Sequence, residues 1–437
     1  MKSKLLTTFF SILLFTTLLS LNFFCAEAKS DEGQIYILTN SNHNFQKEYL
    51  ADLKELKRKK IKVTEKIPEI GLIEVENNEF NRKELQSETG KNIKNASTEI
   101  NSKDVHKGQS WDIKMVAKRK ASKSFIKNKG ENIKIGVLDS GVSTIYKKNQ
   151  KNILPSSQNF VKNPSTNMVE DKNNIKDEIG HGTQVLSQLA GSQYNQGIIP
   201  NAKFNVYKIY SSKTVKSTWA MEAIIQSAKN NDDILNISSG KYLLTSGTYK
   251  TGGNDNIEYQ AWQRAVNYAY SKGTLIVSSL GEEGIDENNN DLLKKTLNKR
   301  QTISQNKGIV KDVPANLKNV ISIGSLNPDN QVSSFSNYEN SSFYTPGGGM
   351  KLYKKYGLKN YTQNMIEKEL IPVYSLNGPT YSYGTSLSSP KAAGIIGYLI
   401  EKDNLHNKPE ITRQKLNFYR KNYGNNLTID NIIREES

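Results

Sequence analysis

Three polar residues stand where the chain changes character. Asp139 follows the apolar run Ile135-Gly136-Val137-Leu138 and precedes Ser140-Gly141. His181 sits within Gly180-His181-Gly182-Thr183, and Ser386 within Gly384-Thr385-Ser386-Leu387-Ser388-Ser389-Pro390. A hydroxyl, an imidazole and a carboxylate are the parts of an activated nucleophile: one attacks, one takes the proton, one orients the base. Helical patterns follow both His181 (Val185, Leu189, Ala190) and Ser386 (Ala392, Ala393, Ile395, Ile396). A helix N-terminus carries free N–H groups and partial positive charge. That favours negative charge developing beside Ser386 and helps keep a resting His181 neutral. Each residue has a plainer reading: an Asp before a Gly is ordinarily a turn residue, and a Ser at a helix start is ordinarily a cap. Of the four histidines (His43, His106, His181, His406), only His181 lies between glycines at a helix start.

The elements that must position these residues form an alternating pattern. Ile133 to Leu138, Phe204 to Ile209, Ile234 to Ile237, Thr274 to Ser278 and Val320 to Ile323 are short, β-branched and apolar. Trp219 to Ala228 and Tyr259 to Tyr270 fit helices between them. Buried strands alternating with helices predict a three-layer α/β domain with a mainly parallel sheet, whose function collects at the carboxyl ends of the strands. Upstream, residues 33–92 read as a small α+β unit. Gln34 to Leu38 alternates like a strand, Phe45, Tyr49, Leu53 and Leu56 recur at helical spacing, and Ile70 to Val75 is a second strand. From Asn92 to Gln109 the apolar pattern lapses, which predicts an exposed linker open to proteolytic nicking.

The 437 residues carry 60 Lys and Arg against 43 Asp and Glu, a formal charge of +17. Such an excess attracts acidic partners, including acidic peptides and anionic cell-wall polymers. No Arg-rich run or zinc-finger spacing accompanies it, so nucleic acid is not expected as a partner. Cys25 is the only cysteine, and no intrachain disulfide can form. Lys2 and Lys4, the apolar stretch Leu5 to Phe24, and Ala26-Glu27-Ala28 read as a secretory signal peptide cut after Ala28. No second apolar span follows, so the expectation is an exported protein without stable membrane insertion, held to the cell wall at most through charge.

The three blocks, in the order Asp, His, Ser, resemble the signature segments of the subtilisin-like serine peptidases. Ile234-Leu235-Asn236-Ile237-Ser238-Ser239-Gly240 looks like that family's substrate-pairing strand, contributing Ser238, Ser239 and Gly240. Ser334-Phe335-Ser336-Asn337 and Thr345-Pro346-Gly347 resemble the segment before its serine block. The resemblance is closer still to the staphylococcal peptidases that remove lantibiotic leader peptides, those of the epidermin kind. It implies a signal peptide at 1–28, an inhibitory propeptide and linker at 29–105, and the peptidase domain at 106–437. It implies a catalytic triad of Asp139, His181 and Ser386, with no cofactor required for catalysis, and the chain's own propeptide as an intramolecular inhibitor. The implied substrate is an acidic lantibiotic leader ending in a basic residue. One departure stands out. In Val277-Ser278-Ser279-Leu280-Gly281-Glu282-Glu283-Gly284, Glu282 occupies the oxyanion-region position where the family has Asn, and an ionised carboxylate accepts but cannot donate. Gly281 and Glu283 fall at substrate-binding positions; a carboxylate at Glu283, on the rim of the pocket for the residue before the scissile bond (P1), favours Lys or Arg there. Two other functions fit the same residues, a broad-specificity degradative subtilisin and a binding protein on an impaired peptidase fold. Asp286-Glu287-Asn288-Asn289-Asn290-Asp291 offers oxygens at alternate positions, as a structural calcium loop does, but lacks the glycine and the later bidentate Glu, and reads more readily as a polar loop.

Overall fold

A computed structural model of the chain describes residues 34–39, 45–76, 89–90, 98–100, 110–143, 150–163, 166–192, 194–211 and 215–434. The signal-peptide reading, Cys25 and most of the expected linker lie outside them. Among the described residues no helix is long and apolar enough to cross a membrane.

Seven strands form one sheet in the order Phe343–Pro346, Val320–Leu326, Leu275–Ser279, Ile234–Ile237, Lys134–Asp139, Lys203–Lys208 and Gln158–Asn159. Every pairing in it is parallel. The central strands are buried throughout, as a parallel sheet covered on both faces requires. The apolar runs read from the sequence coincide with these strands to within a few residues, and the fold is the expected α/β one.

Two layers of helices cover the sheet. The serine helix, Thr385–Lys402, and the histidine helix, His181–Ala190, pack into one core with Ile135, Val137, Leu275, Val277 and Ile323. On the opposite face, helices Ser217–Lys229 and Asn256–Ser271 bring Trp219 and Trp262 against Leu138, Leu235, Ile237 and Ile276.

The N-terminal unit pairs strand Leu72–Val75 between Gln34–Leu38 and Val63–Ile67, all antiparallel, with helix Phe45–Arg58 beside them. It does not stand apart. Tyr36, Ile67, Ile70 and Leu72 belong to the same apolar cluster as Trp219 and Trp262. At the rim, Glu74 pairs with Lys216 at 2.9 Å and accepts from Thr218 Oγ1 at 3.0 Å. Glu65 pairs with Lys162 and Glu69 with Lys229.

Three features go beyond the sequence reading. A long antiparallel pair, Lys241–Tyr249 with Ile303–Val313, stands outside the main sheet. A hairpin, Ile371–Ser375 with Gly378–Tyr383, leads into the serine helix. Within the span expected to be an open linker, Thr98–Ile100 adds a third strand to that hairpin, with Thr98 opposite Tyr383 and Ile100 opposite Tyr381. Backbone pairing needs no side-chain pattern, and this polar segment carries none.

Candidate active site

The Asp139 strand ends in a turn that touches the histidine helix backbone to backbone. Gly141 has φ +112°, and a methyl group there would lie 2.4 Å from the Ile175 carbonyl; one on Gly182 would lie 2.3 Å from the Gly141 carbonyl. Only glycine fits at both contacts. Asp177 ties the junction: its carboxylate accepts from the Ile179, Gly180 and Thr183 amides and from the Ser140 and Thr183 hydroxyls at 2.6–3.0 Å. Ser140 Oγ accepts in turn from the Gly182 amide at 2.8 Å.

This holds His181 against Asp139. His181 Nδ1 lies 2.8 Å from Asp139 Oδ1 and 2.9 Å from Oδ2, and Oδ1 also accepts from the Ser140 amide at 2.7 Å. A carboxylate can only accept, so Nδ1 carries the hydrogen and Nε2 presents its lone pair. Burial disfavours the imidazolium, but the Asp139 charge and hydrogen bond outweigh it and hold the ring above its ordinary value. Nε2 is buried and has no hydrogen-bond partner among the described residues. Ser386 is buried in the first turn of the serine helix. The structure thus brings Asp139 and His181 into direct contact and places Ser386 at the helix N-terminus the sequence indicated.

Glu282 follows the strand Leu275–Ser279 and leans onto the start of the serine helix. Its Oε1 accepts from the Thr385 amide at 2.8 Å, with Thr385 Oγ1 at 3.4 Å. Although the residue as a whole is half-buried, its carboxyl is desolvated, which pushes its pKa up to about 8. The Thr385 amide opposes that rise and the neighbouring Glu283 adds to it. At neutral pH the group is mostly the neutral acid, which has an O–H to donate.

Ser238, Ser239 and Gly240 continue from strand Ile234–Ile237. The Ser238 hydroxyl faces inward, 2.9 Å from Ser389 Oγ on the serine helix, so it fastens strand to helix. Gly240 and Gly281 open onto a wall of side chains. A methyl on Gly281 would meet Asn337 Nδ2, Glu283 Oε2 and Tyr242 Oη at 2.5–2.6 Å, and one on Gly240 would meet Asp312 Oδ1 at 2.9 Å. Glu283 is exposed, and its carboxylate has partners. It accepts from Tyr242 Oη at 2.6 Å and lies 3.6 Å from Arg300, itself over the Tyr242 ring. Asn337 is the hub, accepting from the Glu283 and Ile285 amides and donating to Tyr242 Oη and Glu287 Oε1.

Asp312 was not singled out in the sequence, and Glu287 only as one oxygen of the Asp286–Asp291 segment. Both are buried, and Asp312 Oδ2 and Glu287 Oε2 have no hydrogen-bond partner among the described residues. Burial, then the charges of Glu287 and Glu283, pushes Asp312 well above the usual carboxylate range; Glu287 is pushed up to about 8, mainly by burial. In the Asp286–Asp291 segment, Asp286 Oδ1 accepts from the Asn288 amide, Asn289 caps helix Asn290–Asn298 through the Asp291 and Leu292 amides, and Asn290 Oδ1 accepts from the Val310 amide. No cluster of three His, Cys, Asp or Glu fit to hold a metal occurs among the described residues.

Residues 130–423 match the model of the Subtilase family (Peptidase_S8). The chain is 29% identical to the epidermin leader peptide-processing serine protease EpiP of Staphylococcus epidermidis, over 87% of this chain and 90% of that one. It is 29% identical to the nisin leader peptide-processing serine protease NisP of Lactococcus lactis subsp. lactis, over 73% of this chain and 48% of that one. Among solved structures, the epidermin leader peptide processing serine protease from Staphylococcus aureus superposes with a TM-score of 0.79 at 26% identity, covering 93% of this chain and all of that chain. The nisin leader peptidase NisP from Lactococcus lactis gives a TM-score of 0.68 at 27% identity, covering 75% and 94% of the two chains.

Proposed function

The chain belongs to the Subtilase family and is a serine endopeptidase, and from that premise we propose that it is exported, works through Asp139, His181 and Ser386, and removes an acidic leader peptide by cutting after an arginine or lysine. In this reading Ser386 Oγ attacks the scissile carbonyl while His181 Nε2 takes its proton and later gives it to the leaving amine. Asp139 holds the ring and stabilises its charged form. The Ser386 amide and the protonated Glu282 carboxyl donate to the oxyanion, so the acid replaces the expected asparagine as a donor rather than abolishing one.

The observation that carries the specificity is the buried, unpartnered Asp312 carboxylate behind Gly240. Burial and the neighbouring acids disfavour the ionised form of this carboxyl, and a cation that reaches it favours that form again. A P1 guanidinium lying between Gly240 and Gly281 supplies that cation. Extended substrate pairs along Ser238 to Gly240 without sequence choice, while the +17 balance draws the acidic residues of a leader. The N-terminal unit, docked on helices Ser217–Lys229 and Asn256–Ser271, serves as folding aid and inhibitor until the linker is cut.

The reading is tested by comparing a purified precursor bearing an acidic, Arg-ended leader with denatured casein. A single cut at the junction, with kcat/KM falling steeply as salt rises, is expected, while a short neutral Arg peptide changes little. General degradation of casein at a comparable rate, with salt-indifferent leader cleavage, returns the protein to the broad-specificity class.

A further inference from the structure

The serine helix carries a lysine where its surroundings are apolar. Lys391 lies five residues after Ser386, is fully buried, and is followed by Ala392, Ala393, Ile395 and Ile396, all in the main core. Its ammonium has three partners on three elements. Asp112 Oδ2 of helix Trp111–Val116 lies at 3.2 Å, Gln188 Oε1 of the histidine helix at 2.7 Å, and the Leu387 carbonyl of its own helix at 3.3 Å. Three donors meet three acceptors, so the group is saturated.

Each partner is itself fixed. Ser110 Oγ donates to Asp112 Oδ1, and Trp111 Nε1 donates to the Leu370 carbonyl at 3.1 Å, anchoring that helix beside the hairpin that enters the serine helix. Gln188 Nε2 donates to the Pro372 carbonyl at 3.1 Å on the same hairpin. Gln188 stands seven residues after His181, two turns along and on the same face. The ammonium therefore sits in the angle between the helix bearing the nucleophile and the helix bearing the base.

Stability alone explains this poorly. Desolvating an ammonium and a carboxylate is costly, and well-packed apolar replacements of whole buried pairs are often neutral or stabilising. A methionine would fill the same volume among alanines and isoleucines. Hydrogen bonds from one charged group to both helices fix their relative placement more narrowly than apolar contact does. Ser386 and His181 belong to different helices, and proton transfer requires Oγ within about 3.2 Å of Nε2.

We propose that Lys391 is a positioning residue for this peptidase: its ammonium, shared between Gln188 and Asp112, sets the serine helix against the histidine helix so that Ser386 Oγ can close on the unpartnered His181 Nε2 when substrate binds. The inference rests on the assignment of Ser386 and His181 above. Burial lowers the lysine's pKa, and the Asp112 charge and hydrogen bond oppose that fall.

The test uses the chain produced in full and allowed to mature, and compares wild type with Lys391→Met, Gln188→Met, Asp112→Asn and Ser386→Ala. Four quantities are read: thermal midpoint, kcat and KM on a short Arg peptide, and the rate of labelling by a fluorophosphonate. Lys391→Met leaves the buried Asp112 without its cation and is expected to melt below wild type, a loss that adding Asp112→Asn partly restores; it should keep KM within twofold while kcat and labelling rate both fall at least tenfold. Gln188→Met and Asp112→Asn lower kcat in the same direction by smaller factors, and adding Asp112→Asn to Lys391→Met lowers kcat no further. A folded Lys391→Met with wild-type kcat and labelling rate overturns the proposal, as does a loss confined to KM. Should Lys391→Met not fold, Gln188→Met decides, and an unchanged kcat there overturns it. A wild-type chain that labels no faster than Ser386→Ala overturns the assignment of the nucleophile, and this inference with it.

Discussion

The surroundings of the histidine and the wall behind the two cleft glycines are both rich in carboxylates and are built on opposite terms. Around His181, every carboxylate is answered: Asp139 holds the ring and the Ser140 amide, and Asp177 receives five donors. Behind Gly240 and Gly281, three carboxylates share one asparagine, one tyrosine and a guanidinium 3.6 Å away. Buried polar groups are ordinarily satisfied, so an exception calls for a reason. A saturated network fixes geometry, whereas an unsaturated one is a site whose partner arrives from outside.

The largest effect should come from breaking the saturated side. Ser386→Ala is expected to lower kcat by about 10⁶-fold, as loss of the nucleophile does in this mechanism, and to leave the chain uncut within 92–109. Mass spectrometry of the exported protein checks the second point. Normal cutting at the same bond in a protease-free host assigns maturation to another enzyme.

Removing the Glu282 donor comes next. Glu282→Ala should reduce kcat by about 10²–10³-fold, the effect of deleting one oxyanion donor, whereas Glu282→Gln, which keeps an N–H, should retain most activity at pH 7. The pH profile sharpens this. His181 must be neutral, so the acid limb lies above the ordinary histidine value. Glu282 must be protonated, so activity falls as pH rises through about 8. The profile is therefore a narrow bell, and Glu282→Gln should abolish its alkaline limb. An alkaline limb that survives in Glu282→Gln removes Glu282 from the oxyanion site.

On the unsaturated side, Asp312→Asn should reduce the preference for Arg over Leu at P1 by about 10²-fold, in line with losing one partner of a buried charge pair. Because burial raises the Asp312 pKa, the wild-type preference should also strengthen as pH rises and the carboxylate forms. An Asp312→Asn variant with undiminished preference places the P1 contact elsewhere.

The smallest effect is expected from Glu283→Gln. Its carboxylate already faces Arg300 and Tyr242 Oη, so the Arg preference should change only about two- to fivefold, by kcat/KM on paired peptides. A larger drop at Glu283 than at Asp312 would reverse the order of the two acids.

What the sequence made legible follows the same division. Asp139, His181 and Ser386 sit in compact segments whose glycines, apolar runs and helix starts are contiguous, and the strands behind them declare themselves by β-branched residues. Asp312 is the penultimate residue of a strand whose burial alternates only near its final residues and whose partner strand lies far away in sequence. Local patterning cannot place such an acid behind Gly240. Glu283 was legible as a position, but the direction of its carboxylate depends on Tyr242, Arg300 and Asn337, three separate segments. A lysine among alanines, as at Lys391, reads as a solvent face until the helix is seen to be buried on all sides.

The apolar seam beneath the N-terminal unit sets a clock. Tyr36, Ile67, Ile70 and Leu72 lie in one continuous core with the two tryptophans of the helices below. Severing the linker breaks one covalent bond and exposes none of that surface. Nicked protein should therefore persist as a two-chain assembly whose lifetime is set by dissociation rather than hydrolysis. Activity should appear after a lag that is unchanged by faster cutting and shortened by mild denaturant.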